Sequence, residues 1–171
     1  FGKDAINQWN YYLDYGLESQ NIWQRAYVSL LGLLPSASPE VIYLQTSFDD
    51  GGETLSGNCS YTLSGEVPDA RYWSYAIYGN DNYYLQDPNS LVDQPTFEDL
   101  FAQVTNGSEL TSKIGESYII KIDNNLISQN GTLSHFGNDF TLILRIYGPN
   151  LNYYENPTSI PVASINNEGC K

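Results

Sequence analysis

Arg145 is the charged side chain whose position most clearly suggests chemistry. It lies in "DFTLILRIY", residues 139 to 147, where strand alternation places it on one face with Ile143 and Tyr147. A guanidinium on such a face needs a carboxylate or carbonyl partner. We expect an ion pair with Asp50 or Asp69 that holds the fold together. The alternative is a cleft arginine that binds an anionic ligand.

Tyrosines dominate "RYWSYAIYGNDNYYLQD", residues 71 to 87, a pattern typical of two strands around a Gly-Asn-Asp-Asn turn. Alternation directs Trp73, Tyr75 and Ile77 into a core and leaves four tyrosines for the outer side: Tyr72, Tyr78, Tyr83 and Tyr84. Exposed rings beside polar groups could stack on sugars, so these tyrosines and Arg145 are the candidate ligand-binding residues. Cross-strand packing on a sheet face is the commoner reason for such a pattern.

Catalytic and metal chemistry have little support in the sequence. The turn "DDGGE" offers Asp49, Asp50 and Glu53 as oxygen ligands for Ca²⁺, but Asp-Gly is also typical of tight turns, which we favour. His135, the single histidine, has no nucleophile or zinc motif around it. We therefore predict no metal, no cofactor and no assigned catalytic residue. A hydrolase acting on a carbohydrate or small polar substrate, with carboxylates and His135 in its cleft, stays the alternative, because a pair of carboxylates needs no sequence motif.

Charge and composition argue against a nucleic-acid-binding or membrane protein, and length indicates one domain. The 171 residues include 20 acidic and 7 basic side chains, and the net charge of −13 would repel nucleic acids and anionic membranes. The longest apolar run, "YVSLLGLLP", is broken by Gly32 and Pro35 and is too short to span a bilayer. The length is typical of one domain.

Three segments show helical spacing of apolar residues. Ile6, Trp9 and Leu13 predict a helix over residues 4–15, and a second helix is predicted over 21–33, before Pro35 and Pro39. A short helix inserted between strands is predicted over 96–104.

From residue 40 the apolar residues alternate with a period of two, which is typical of strands. Five strands are predicted around these inward-facing residues: Ile42, Leu44 and Phe48; Cys59, Tyr61 and Leu63; Trp73, Tyr75 and Ile77; Tyr118, Ile120 and Ile122; Phe140, Leu142, Leu144 and Ile146. The fold class is therefore mainly β, an antiparallel β-sandwich of jelly-roll type. A single domain, 1–171, would pack a helical segment, 1–35, on a sandwich, 40–165. The stretch from 149 to 171 is expected to wrap around the outside.

The order of several short motifs resembles a known family. The motifs are an Arg-Ala pair in a helix, a strand tyrosine, an Asp-Gly turn followed by Y-x-L, a Trp-Ser strand ending in Tyr, and a closing R-I-Y-x-P. The matching residues are Arg25 and Ala26, Tyr43, Asp50 and Gly51, Leu55 and Gly57, Tyr61 and Leu63, Trp73 and Ser74, Tyr78, Arg145, Tyr147 and Pro149. Over residues 20–165 the chain is similar to the family catalogued as domain of unknown function 1214.

That resemblance implies a jelly-roll-like β-sandwich and no established reaction. The chain departs from the family where "SQNGTLSHFGND" replaces the usual Trp-containing segment, and residues 87–115 form a longer stretch than usual.

Cellular location is predicted from the chain start and the cysteines. The chain begins at Phe1 without any Met, Cys59 and Cys170 could pair, and sequons occur at Asn58, Asn106 and Asn130. We therefore expect an extracellular or cell-surface protein. We expect it to act by binding a carbohydrate or by self-assembly, as a structural or interaction module rather than an enzyme.

Overall fold

The computed structural model describes residues 4–23, 25–26, 38–79, 114–122 and 139–171. Eight strands occur in these ranges: β1 (Asp4–Ile6), β2 (Trp9–Tyr12), β3 (Val41–Thr46), β4 (Cys59–Glu66), β5 (Ala70–Gly79), β6 (Ser117–Ile122), β7 (Phe140–Pro149) and β8 (Ser164–Cys170). They form a five-stranded sheet in the order β1-β2-β3-β7-β5 and a three-stranded sheet in the order β6-β4-β8. Every pairing between these strands is antiparallel.

Both sheets contribute to one hydrophobic core. Its most completely buried side chains, each at most 1% exposed, are Trp9, Ile42, Leu44, Leu55, Tyr61, Leu63, Ile120, Phe140, Leu142, Leu144, Ile146 and Ile165. Burying such a side chain contributes about 1.5–3 kcal/mol. The five predicted strands and their mainly β, antiparallel class are confirmed, because the alternating positions other than Phe48 face this core. Jelly-roll connectivity and the single-domain boundaries stay predictions.

The helix predicted over residues 4–15 is wrong, because this segment forms the β1–β2 hairpin. Ile6 and Trp9 are directly opposite across the hairpin, and Asn7 adopts a positive φ of 53° in the turn. The Trp9 indole N–H donates to the Ala163 carbonyl at 2.8 Å, a contact 154 residues away. Tertiary packing has thus overridden a helical spacing that residues 6, 9 and 13 also satisfy.

The other helix predictions are only partly covered. Residues 22–23 and 25–26 are helical, as the helix predicted over 21–33 requires. The rest of that helix and the inserted helix over 96–104 lie outside the described residues. A single-turn helix that the sequence analysis did not predict, α1 (Asn152–Glu155), is followed by a 3-10 turn, Pro157–Ser159. No helix within the described ranges combines the length and apolar composition that crossing a bilayer demands.

Two further corrections concern which side chains reach the core. Phe48, predicted to face inward, is 42% exposed because it lies beyond the end of β3. Thr46, which shares the inward face of β3 with Ile42 and Leu44, is buried. The C-terminal stretch does not wrap around the outside: β8 joins the second sheet beside β4, and Ile165 is in the core.

Two contacts hold the C-terminal strand and the sheets together. Cys59 on β4 and Cys170 on β8 are directly opposite and form a disulfide, which confirms the predicted pairing. The Tyr75 hydroxyl on β5 lies 2.6 Å from the Tyr118 hydroxyl on β6, so this hydrogen bond links the two sheets. Gly65 makes room for Tyr118, since a Cβ there would lie 2.6 Å from the phenol oxygen.

Candidate functional site

The candidate site is the outer face, the side of the five-stranded sheet that points away from the three-stranded sheet. Residues directly opposite each other on β3, β7 and β5 form rows across this face. One row contains Tyr43, Arg145 and Ser74. The row on one side contains Val41, Tyr147 and Tyr72. The row on the other side contains Gln45, Ile143 and Ala76.

Three of the predicted ligand-binding residues lie on this outer face. Tyr72 and Tyr78 alternate with core residues of β5, and Arg145 occupies the matching face of β7. Tyr72 is 53% exposed, and its ring centroid lies 5.7 Å from that of Tyr147. Tyr83 and Tyr84 lie outside the described residues, as does His135.

Arg145 and Tyr78 form the central contact of the outer face. The Arg145 Nη2 donates to the Tyr78 hydroxyl at 2.5 Å, and its Cζ lies 5.8 Å from the centre of the Tyr78 ring. The backbones of Arg145 and Tyr78 lie two rows apart on the sheet. Their side chains therefore meet over the row between them, which holds Ala76 and Ile143. Both of those residues are buried, which is consistent with a cover over them.

The expected partners of Arg145 are engaged elsewhere, so the predicted ion pair is wrong. Asp50 accepts a hydrogen bond from the Ser164 hydroxyl, and Asp69 accepts one from the Asn150 side-chain amide at 2.5 Å. Among the described residues, Tyr78 is the hydrogen-bond partner of Arg145 and no carboxylate pairs with it.

Ser74 is the polar residue of the outer face that the sequence analysis did not select. It is only 2% exposed and lies directly opposite Arg145. The Oγ of Ser74 and the Nε of Arg145 are both buried and have no hydrogen-bond partner in the part of the chain that the structure describes. Alternation already placed Ser74 on the face of Tyr72 and Tyr78, but the β5–β7 register that sets it against Arg145 is not visible in the sequence.

A cluster of tyrosines adjoins the Arg145 row. Tyr12 on β2 is directly opposite Tyr43, and the Tyr15 ring lies 5.1 Å from Tyr12 and 5.6 Å from Tyr43 between ring centroids. Tyr12 and Tyr15 are buried. The sequence analysis missed this cluster because it predicted a helix here, whereas the side-chain alternation of strand β2 places Tyr12 on the outer face.

The opposite side of β5 belongs to the core, as predicted. Trp73 packs on Tyr118 with ring centroids 4.7 Å apart, and Tyr75 lies 5.8 Å from Trp9. Burial raises the pKa of Tyr118 to about 12 and raises the pKa of Tyr75 well above its ordinary value. Both phenols therefore stay neutral at physiological pH and act as hydrogen-bonding core residues.

The acidic turn after β3 uses its carboxylates internally. Asp49 is buried, and its Oδ1 accepts the backbone N–H of Glu53 at 2.9 Å, which closes the turn. Asp50 is bonded to Ser164 on β8. Within the described ranges no group of three or more His, Cys, Asp or Glu side chains could coordinate a metal ion.

Comparisons with known proteins identify a family and a fold. Residues 40–151 match the family described as "Protein of unknown function (DUF1214)". The fold is similar to the crystal structure of the VPA0106 protein from Vibrio parahaemolyticus, with a TM-score of 0.50, 19% sequence identity and coverage of 83% of this chain. This chain spans about a third, 34%, of that protein, and the likeness shows the fold alone. No curated protein matches the chain.

Proposed function

We infer a function from geometry, because this chain belongs to the family described as "Protein of unknown function (DUF1214)", whose description names no activity. We propose that the chain is a binding module and that its outer face takes up a carbohydrate. Membership confirms the resemblance found in the sequence and leaves the ligand to be argued from the residues themselves.

The observation that carries this proposal is an exposed ring on a sheet face that also holds hydrogen-bond donors. Tyr72 presents 53% of its surface to solvent, next to the row that holds Arg145 and Ser74. A flat amphipathic ring gives a sugar an apolar surface, and nearby polar groups fix its orientation. Tyr147 supports the Tyr72 ring from the neighbouring strand.

The hydrolase alternative gains no specific support from the outer face. The described residues that β2, β3, β5 and β7 direct to this face include no carboxylate. A glycosidase needs two carboxyl groups on either side of the scissile bond. Self-assembly stays a prediction that size-exclusion chromatography can test.

We further propose an extracellular or cell-surface location. The disulfide between Cys59 and Cys170 supports it, because such bonds persist in oxidising compartments. Asn58, the first sequon position, is exposed next to the disulfide and would be accessible for glycosylation.

Replacing the exposed ring tests the binding proposal. We expect Tyr72→Ala to lower the affinity for an oligosaccharide about 2- to 10-fold, since one ring contact is worth roughly 0.5–1.5 kcal/mol. A glycan array would select the oligosaccharide, and titration calorimetry would measure the affinity.

Phe48→Ala is the matched control, because Phe48 is an exposed aromatic residue outside the outer face. It should bind like the wild type. Absence of any oligosaccharide binding, or an equal loss in both variants, would contradict the proposal.

A further inference from the structure

Two buried polar atoms on the outer face have no partner among the described residues, and they lie on directly opposite residues. Ser74 is only 2% exposed, and no described group bonds to its Oγ. The same holds for the buried Nε of Arg145. Leaving a buried donor unsatisfied costs about 1–3 kcal/mol, and native proteins rarely accept that cost without a reason. Two such atoms at one paired position therefore point to a missing acceptor.

The charge of Arg145 also indicates a missing acceptor. The chain has 20 acidic and 7 basic side chains, so carboxylates are abundant. Arg145 nevertheless bonds to the neutral hydroxyl of Tyr78, and among the described residues no carboxylate pairs with it. A half-buried guanidinium normally gains most from a carboxylate partner. Within the described ranges, the chain therefore leaves the carboxylate-binding capacity of this guanidinium unused.

We propose that Arg145 and Ser74 form a carboxylate subsite within the carbohydrate site, so that the ligand is an acidic saccharide such as a uronic acid oligomer. The inference rests on the proposed function and names its ligand class. The carboxylate oxygens accept hydrogen bonds from the Nε–H of Arg145 and the Oγ–H of Ser74. Side chains of directly opposite residues start about 4.5–5.5 Å apart, a distance that one bound carboxylate can bridge.

The same geometry explains the role of Tyr78. By accepting from Nη2 at 2.5 Å, its hydroxyl holds the guanidinium over the sheet and leaves Nε–H for the ligand. The exposed Tyr72 ring, one row beyond Ser74, is then positioned to contact the sugar that carries the carboxylate. A singly charged carboxylate matches the single cation, whereas a phosphate dianion would leave an excess negative charge on a protein of net charge −13.

Three probes separate this subsite from sugar binding in general: trigalacturonate, the neutral galactotriose, and succinate as a carboxylate without a sugar. Titration calorimetry on the full chain should give tighter binding of trigalacturonate than of galactotriose. We expect Arg145→Gln to weaken trigalacturonate binding about 10- to 100-fold, the range for hydrogen bonds to a charged group, and to weaken galactotriose binding by a much smaller factor. Ser74→Ala, which keeps the charge, should weaken it by a smaller factor.

Two further variants control for charge and folding. Arg71→Gln removes an exposed arginine from β5, the strand of Ser74, and should leave all three affinities unchanged. Arg145→Lys keeps the charge but loses the planar Nε–H donor, so it should recover only part of the affinity. If Arg145→Gln does not fold, Ser74→Ala and Arg145→Lys decide the question.

Each outcome has a separate meaning. Equal affinities for trigalacturonate and galactotriose would overturn the carboxylate subsite and leave carbohydrate binding in place. Succinate binding that depends on Arg145, without binding of either sugar, would support the subsite and overturn the carbohydrate proposal. Absence of binding by all three probes, or trigalacturonate binding that survives Arg145→Gln, would overturn the subsite.

Discussion

At the residue scale, burial of the Tyr75 and Tyr118 phenols makes stability depend on pH in the alkaline range. Burial raises the pKa of Tyr118 to about 12 and raises the pKa of Tyr75, whereas tyrosines in an unfolded chain ionise near pH 10. The folded state therefore holds protons that the unfolded state releases. Its stabilising effect is complete below about pH 10 and is lost as the pH rises towards 12.

We expect the free energy of unfolding to fall by about 2–3 kcal/mol across this range from Tyr118 alone, since one pKa unit corresponds to about 1.4 kcal/mol. Urea denaturation at a series of pH values would measure it. Tyr118→Phe should reduce the slope without abolishing it, because Tyr75, Tyr61 and Tyr153 also have pKa values raised by burial. Identical slopes in wild type and variant would contradict this assignment.

At the element scale, β8 depends on the disulfide. Within the described ranges it pairs with β4 alone, and Cys59 and Cys170 close a loop with a sequence separation of 111. Opening a loop of this length costs about 4–5 kcal/mol of stability in the chain-entropy model.

The double variant Cys59→Ala/Cys170→Ala should lose stability of that order in denaturant unfolding. Amide hydrogen exchange should also become faster in β8 than in β7, which is central in its sheet. An unchanged free energy of unfolding would show that the Ser164–Asp50 contact and the β4–β8 ladder suffice to hold the strand.

Most strands could be predicted from the sequence, and the N-terminal hairpin could not. Alternation identified β3 to β7 because residues such as Leu63 and Leu144 repeat every second position against a common core. It also put Tyr72, Tyr78 and Arg145 on outward faces. The β1–β2 hairpin was not predicted because its strands are three and four residues long, too short to distinguish a strand period from a helical one. The pairing of Ser74 with Arg145 is a property of register between strands far apart in sequence.

At the scale of the whole molecule, the net charge of −13 repels the acidic saccharide that we propose as the ligand of Arg145. At low salt this field reaches far into solution, and at about 0.1 M salt it is screened over about 10 Å. We therefore expect the association rate of trigalacturonate to rise when salt is added from about 10 mM to about 150 mM.

Stopped-flow measurements would follow this rate, with galactotriose as the uncharged comparison whose rate should not respond. A trigalacturonate rate that falls steeply with salt would mean that a local positive field, rather than the overall charge, governs the approach.

The placement of Trp73 gives the molecule an optical reporter. Its backbone lies between Tyr72 and Ser74, while its ring faces inward and stacks on Tyr118. Trp9 is buried and Trp23 is 65% exposed, so the three indoles occupy environments of different polarity and should emit at different wavelengths. A ligand that binds on the outer side of β5 would thus shift the fluorescence emission of Trp73, whose ring lies on the inner side, without any added label.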